Sequence, residues 1–306
     1  MIKVGVIGVG YLGAHHARIF SELKDVQLIG VVDANSESAR EVASRYSCKA
    51  YENHLEIMDS VDAVSIATPT TIHFPIAMDF LMARKDILIE KPITSNVKEA
   101  EELIHEAQAR GLVLQVGHLE RFNPGLSIID SMLDNPSFIE SHRLSPFSVR
   151  GTDVDVTLDL MIHDIDIILS LVGSEVSDLR ATGDRVLTEN IDTAHAWIEF
   201  ENGCIAGIVA SRISPEKVRQ IKVFQRHTCL SLDYQSQEVL CYRKVADRIE
   251  TEKIKPEKKE PLREQLKSFI KCVRERSMPV VSGVEGKKAL EVALKISEVV
   301  KNGKKY

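Results

Sequence analysis

The sequence predicts two domains of different class: a doubly wound parallel α/β sheet over residues 1–120 and an α+β domain with an open, mostly antiparallel sheet over 121–306. Three observations carry this reading. Continuous apolar runs alternate with amphipathic helical stretches as far as Val116, a glycine cluster follows the first run at once, and period-2 patterning takes over after Asp178. Buried strands that alternate with helices make a parallel sheet covered on both faces. Runs of period 2 separated by turn signals make an antiparallel one.

Taken in order, Ile2–Ile7 is a strand of mostly β-branched residues, and Tyr11–Leu23 is helical. Gln27–Val32 is the second strand and ends at Asp33. Helices at Ser36–Tyr46, Ile72–Ala83 and Val97–Arg110 alternate with strands at Ala63–Ile66, Ile87–Ile89 and Leu112–Val116. Right-handed crossovers then give the doubly wound order. Beyond residue 120 come a helix near Pro124–Leu133, a strand over Phe138–Phe147 and a strongly apolar helix over Val156–Val172. Strand-like runs follow to Tyr242, with Glu201-Asn202-Gly203 as a hairpin cue. The charged, Pro-bounded stretch 253–261 reads as a solvated loop. Two terminal helices, at about 262–276 and 285–301, are free to pack back toward the first domain.

Composition narrows the function classes. The 306 residues are 44% hydrophobic and 27% charged, with a net charge of −6 and no basic stripe to hold nucleic acid. No apolar run reaches the roughly 20 residues of a membrane span. The opening MIKVGVIGVG lacks the layout of a signal peptide, so a cytoplasmic protein is expected. The five cysteines are scattered without metal or disulfide spacing, and no metal site is expected.

Gly8-Val9-Gly10-Tyr11-Leu12-Gly13 fits G-x-G-x-x-G, a weak signal alone. Here it follows a strand and opens a helix, and Asp33 stands 20 residues beyond Gly13 at the end of the next strand. Gly8 permits the tight turn, Gly10 the close approach of a pyrophosphate, and Gly13 the packing of helix on strand. The amides of Gly10 to Leu12 then face the diphosphate at the positive end of the helix. A carboxylate at Asp33 accepts from ribose hydroxyls and repels a 2′-phosphate, which favours NAD over NADP. Thr68-Pro69 and Glu90-Lys91-Pro92 each follow a strand, at the mouth expected for the cofactor cleft.

In the second half, Asp159, His163 and Asp166 fall at i, i+4, i+7 and would share one helix face. A polar stripe on an apolar helix goes to partners or to a cleft. A core histidine held by two carboxylates is the plainer alternative, and a metal site is a weaker one because no other His or Cys cluster completes it.

In this order the motifs resemble the glucose–fructose oxidoreductase, inositol dehydrogenase and MocA (Gfo/Idh/MocA) family across essentially the whole chain: Gly8/Gly10/Gly13, Thr68-Pro69 with His73, Glu90-Lys91-Pro92, and Asp159/His163/Asp166. The resemblance implies an NAD-dependent oxidoreductase with Lys91, His163 and Asp159 as catalytic residues. Gly8, Gly10, Tyr11, Leu12, Gly13, Asp33, Thr68, Pro69, His73, Glu90 and Lys91 would bind cofactor. Met161 stands where many members have glycine, which narrows the pocket. That departure, with the run Gly117–Pro124, is similar to members that oxidise the 3-hydroxyl of UDP-N-acetylglucosamine. In that group a pyridoxal-phosphate aminotransferase then makes a 3-amino sugar for lipid A.

Arg121, Arg143, Arg150 and Arg212 lie in or beside the expected cleft segments, where guanidiniums suit a diphosphate. With Asn123, Asp159 and His163 they form the expected substrate set. The rival readings are dehydrogenation of a free sugar or cyclitol such as myo-inositol, and a non-catalytic NAD-binding regulator. The open sheet is the expected interface of a homodimer or homotetramer.

Overall fold

The structure is a computed structural model that describes residues 1–148 and 151–303. The chain divides into two compact units: residues 1–119 with 260–287, and residues 120–259 with the segment from 288 onward. Helices α1 to α4 are Tyr11–Glu22, Ser36–Arg45, His73–Met82 and Val97–Arg110. Helices α5 to α8 are Pro124–Ser131, Ile162–Val172, Pro261–Glu275 and Gly283–Asn302.

In the first unit, strands β1 to β6 are Ile2–Ile7, Val26–Val32, Lys49–Tyr51, Ala63–Ile66, Asp86–Glu90 and Leu114–Gly117. They pair in parallel in the order β3-β2-β1-β4-β5-β6, a doubly wound sheet whose switch point lies between β1 and β4. β4 and β5 are buried at every residue, as strands covered on both faces must be. The short edge strand β3 was not expected, because its three residues are partly exposed and carry no apolar run. Capping residues set the helix ends. The Asn35 side chain caps α2 through the amides of Glu37 and Ser38, and Asn96 caps α4, which stops at Gly111 in the left-handed region. α7 belongs to this unit: its Leu266, Phe269 and Ile270 join Ala17 and Phe20 of α1 in one core. The unit therefore gains residues 260–287 over a boundary drawn near residue 120.

In the second unit, strands β7 to β14 are Phe138–Leu144, Val176–Asp184, Thr193–Phe200, Ile205–Ser211, Val218–Gln225, Thr228–Asp233, Glu238–Val245 and Arg248–Ile254. They form one sheet in the order β14-β13-β12-β11-β7-β10-β9-β8, antiparallel throughout except for the β7–β10 pair. The Asn-Gly cue is the β9–β10 turn, with Gly203 at φ +84°. The expected loop at 253–261 begins two residues late, because β14 runs to Ile254 as a charged, exposed edge strand. Alternate residues of the sheet, among them Ile139, Ile198, Ile208 and Ile221, face Ile165 and Ile168 of α6 and Ala293 and Ile296 of α8.

The apolar helix expected over 156–172 is not one regular helix. Thr157–Met161 is a π-helical turn, in which the Ile162 amide donates to the Thr157 carbonyl five residues back, and α6 begins only after it. A π turn changes the residues per turn, so Asp159 does not keep the regular i, i+4 relation to His163. Among the described residues, no helix is long and apolar enough to cross a membrane.

Candidate active site

At the nucleotide end of the first unit, backbone shape comes first. Gly8 adopts φ +85°, and a Cβ there would lie 2.7 Å from the Ala67 carbonyl oxygen. A Cβ on Gly13 would drive into the Gly8 carbonyl, so α1 seats on β1 only with glycine at that position. At Gly10 a Cβ would meet nothing within 4 Å. That open space lies at the N-cap of α1, where no side chain caps the helix and the first turn holds no acid. An anion fits there, held by amides and the helix dipole. Tyr11, 68% exposed, packs its ring edge-on to His15, and Leu12 is half-buried.

Asp33 is fixed by two amides: Val9 donates to Oδ2 at 2.8 Å and Asn35 to Oδ1 at 2.9 Å. Its half-buried carboxylate keeps lone pairs for ribose hydroxyls. At the end of β4, the Thr68 hydroxyl is buried without a hydrogen-bond partner among the described residues. An open glycine cradle, an oriented carboxylate and an orphaned hydroxyl together fit a bound dinucleotide.

Lys91, half-buried, follows β5 and is joined to Pro92 by a cis peptide. The residues around it are braced from below. Glu90 is 5% exposed, with His16 Nε2 at 3.4 Å and the Gln265 amide donating to it at 3.4 Å. His16 in turn hydrogen-bonds the Ser65 hydroxyl at 2.6 Å. His73, expected at the cofactor, is 1% exposed and has Nδ1 at 3.0 Å from the Pro92 carbonyl and Nε2 at 2.9 Å from that of Thr68. Burial lowers its pKa, against the two carbonyls that raise it. It ties the β4 exit to the β5 exit, bracing the backbone at Thr68 and beside Lys91.

In the second unit a charge network surrounds the start of α6. Arg143 on β7 forms a forked pair with Asp164, Nε to Oδ2 at 2.6 Å and Nη2 to Oδ1 at 3.2 Å, and Nη1 reaches Glu120 at 3.3 Å. Arg143 is 2% exposed and Asp164 0%. Burial opposes the arginine's charge, but the two carboxylates outweigh it and hold its pKa above the ordinary value. The guanidinium lies 5.3 Å from the centre of the Tyr234 ring, and burial lifts that phenol far above its usual pKa. Arg121 Nη1 sits 3.4 Å from Asp166. Asn123 is the buried N-cap of α5, accepting from the Gly125 amide and donating to the Tyr234 carbonyl at 3.1 Å. His163 and Asp159 are half-buried, and the Asp159 carboxylate presses on Gly151, where a Cβ would come within 2.6 Å.

Two expected substrate residues thus have internal roles. Arg143 is enclosed by carboxylates and Asn123 caps a helix. Arg150 lies outside the described residues. Arg212, 3% exposed, donates to the Val154 carbonyl at 2.8 Å and stands 4.0 Å from Asp192, while its Nε and Nη1 find no hydrogen-bond partner among the described residues. Burial opposes ionisation of Asp192, but the amides of Leu187, Thr188 and Val186 and the Thr188 hydroxyl hold its pKa down to about 2. Glu120, Asp164 and Arg219 escaped the sequence reading. For the two carboxylates the signal was an alternation in which Ile139, Ser141 and Arg143 share the buried face of β7, which demanded buried counter-charges; for Arg219 it was a place on the face of β11 shared with Ile221 and Val223.

A family model of oxidoreductases with an NAD-binding Rossmann fold matches residues 2–118, and that family's C-terminal domain matches residues 139–227. The chain belongs to the Gfo/Idh/MocA family. It is an NAD-dependent oxidoreductase, and the matched Rossmann segment includes the Gly8–Gly13 turn and Asp33. The chain is 36% identical over 306 residues to a UDP-N-acetylglucosamine 3-dehydrogenase of Acidithiobacillus ferrooxidans, covering 98% of this chain and 97% of that protein. A solved structure under the same name and organism superposes with a TM-score of 0.94 and covers 98% of each chain. A myo-inositol 2-dehydrogenase of Thermotoga maritima is 27% identical, covering 94% of this chain and 93% of that protein. A solved scyllo-inositol dehydrogenase of Lactobacillus casei, with bound NAD(H), shares the fold at 19% identity and a TM-score of 0.84, covering 98% and 97% of the two chains.

Removing one partner of the buried pair leaves the other charge stranded. Arg143→Met should lower unfolding stability by about 3–5 kcal/mol in urea titrations, and a midpoint near that of the wild type would contradict the clamp. Asp192 has a folded pKa of about 2, below its ordinary 3.8, so its contribution is complete above about pH 4 and fades as pH falls through about 2. Melting curves should accordingly show Asp192→Asn less stable than wild type at pH 7, with the gap closing toward pH 3.

Proposed function

We propose that the chain oxidises the 3-hydroxyl of UDP-N-acetylglucosamine to the 3-keto sugar, with NAD as the hydride acceptor. The observation that carries this is the near full-length likeness to the Acidithiobacillus enzyme. Met161, wholly buried at the end of the π turn, supports it as the feature expected of nucleotide-sugar members.

His163 takes the proton from the sugar hydroxyl as general base, since an imidazole titrates near neutral pH. Asp159 orients that ring or the sugar. Lys91 holds the hydroxyl oxygen and stabilises its developing negative charge. NAD, held at Gly8–Gly13 and Asp33 with Thr68 and Pro69 at the mouth, supplies the acceptor carbon when bound. Arg121 and Arg212 serve the substrate's negative charge; Arg150 is proposed with them from the sequence alone.

The same reading extends to the surroundings of the reaction. The product is a ketone suited to a pyridoxal-phosphate aminotransferase, and the 3-amino sugar would serve lipid A assembly in the cytoplasm. The outer face of the sheet, where Phe138 meets Trp197 and Phe224 at ring distances of 5.6 and 5.9 Å, is proposed as the interface of a homodimer or homotetramer. Trp197 is 41% exposed there, which supports a covering partner.

Formation of NADH with UDP-N-acetylglucosamine, glucose and myo-inositol as alternative substrates tests the assignment. The nucleotide sugar alone should react at a useful rate; turnover of myo-inositol alone would transfer the chain to the cyclitol reading. His163→Asn and Lys91→Ala should each lower turnover by about 10²–10⁴-fold, measured at saturating NAD. Near-normal rates in either variant would remove that residue from the mechanism.

A further inference from the structure

We propose that Arg219, on the inner face of the second unit's sheet, is the residue that grips the phosphate of a nucleoside diphosphate sugar. The proposal rests on the substrate reading above. Arg219 shares the inward face of β11 with the fully buried Ile221 and Val223. Its cross-strand partner on β7 is Arg143, so two guanidiniums stand directly opposite each other. Like charges in that position destabilise a sheet, and a residue kept there must gain something elsewhere.

Their surroundings differ. Arg143 is enclosed: Asp164 takes its fork and Glu120 a third N–H. Arg219 has one carboxylate in ion-pair range among the described residues, the same Glu120 Oε1 that Arg143 uses, at 3.9 Å. That is too long for a hydrogen bond. A guanidinium offers five N–H donors in a rigid fork, and this one, 35% exposed, keeps them for a ligand. Burial and the Arg143 charge lower its pKa, while Glu120, Asp164 and Asp159 oppose that shift. A half-open fork, repelled from behind by Arg143 and short of counter-charge, suits two phosphate oxygens. A neutral cyclitol would leave it unanswered.

Calorimetric titration of UDP into the NADH-loaded protein tests this, beside Arg219→Met, Arg219→Gln and the wild type. UDP affinity should fall about 10–100-fold in both variants, the loss expected of one charge-assisted pair, while NADH binding and the melting temperature hold. Arg219→Gln keeps a polar side chain and guards against misfolding of the methionine variant. Unchanged UDP affinity in either folded variant overturns the role of Arg219 and leaves the substrate reading standing. Loss of NADH binding together with UDP binding overturns it as well, since that marks general damage. If wild-type protein neither binds UDP nor forms NADH from UDP-N-acetylglucosamine, both readings fall together.

Discussion

Asp164 follows His163 on the first turn of α6, and its carboxylate is buried against the Arg143 fork at 2.6 and 3.2 Å. This pair joins α6 to the centre of the sheet, because β7 lies between β11 and β10. An apolar contact in the same place would give comparable stability, since a buried ion pair gains little net free energy over well-packed hydrophobic residues. What it supplies is register. A helix sliding on isoleucines has several acceptable positions, whereas a forked guanidinium accepts one. His163 is thereby fixed by a neighbour that takes no part in the chemistry. The π turn lies directly before α6, with Met161 and Ile162 wholly buried at the junction.

The first unit reaches its geometry differently. There the backbone does the positioning, through a glycine that tolerates φ +85° and another that no side chain could replace. Side chains then brace the strand exits. His73 spans the Thr68 and Pro92 carbonyls, while His16, itself bonded to Ser65, and Gln265 meet Glu90. The braces fall on Thr68 itself and on Glu90 and Pro92, the two neighbours of Lys91. Polar residues buried in this way carry the desolvation penalty so that their exposed neighbours have one orientation.

Much of this was legible in the sequence because its signals are local. The alternation of runs and helices, the G-x-G-x-x-G turn, Asp33 and the Asn-Gly hairpin each depend on a few adjacent residues. What escaped was set by partners distant in sequence. Arg143 reads as a diphosphate ligand until Asp164 and Glu120 are found beside it, 21 and 23 residues away. Asn123 reads as a ligand group until its cap on α5 is seen. The π turn has no signature in apolar spacing, because Leu158, Leu160 and Met161 fit a regular helix equally well. β3 and β14 are edge strands whose exposed residues carry no hydrophobic period.

Counting arginines near a cleft is therefore a poor guide to its ligand. Arg121, Arg143, Arg212 and Arg219 carry the same charge, and their neighbours divide them. Arg143 is matched by two carboxylates, and Arg121 faces the buried Asp166 at 3.4 Å. Arg212 makes one hydrogen bond to a carbonyl, stands 4.0 Å from Asp192 and has two nitrogens without a hydrogen-bond partner among the described residues, and Arg219 shares a carboxylate already in use. Buried positive charge without matching negative charge is unfavourable in the free protein. It becomes favourable when an anion arrives to complete the set. The imbalance between matched and unmatched guanidiniums says more about the substrate's charge than their number does. Under the substrate proposed above, Arg219 would meet the phosphate on the same inner sheet face that holds α6 in register.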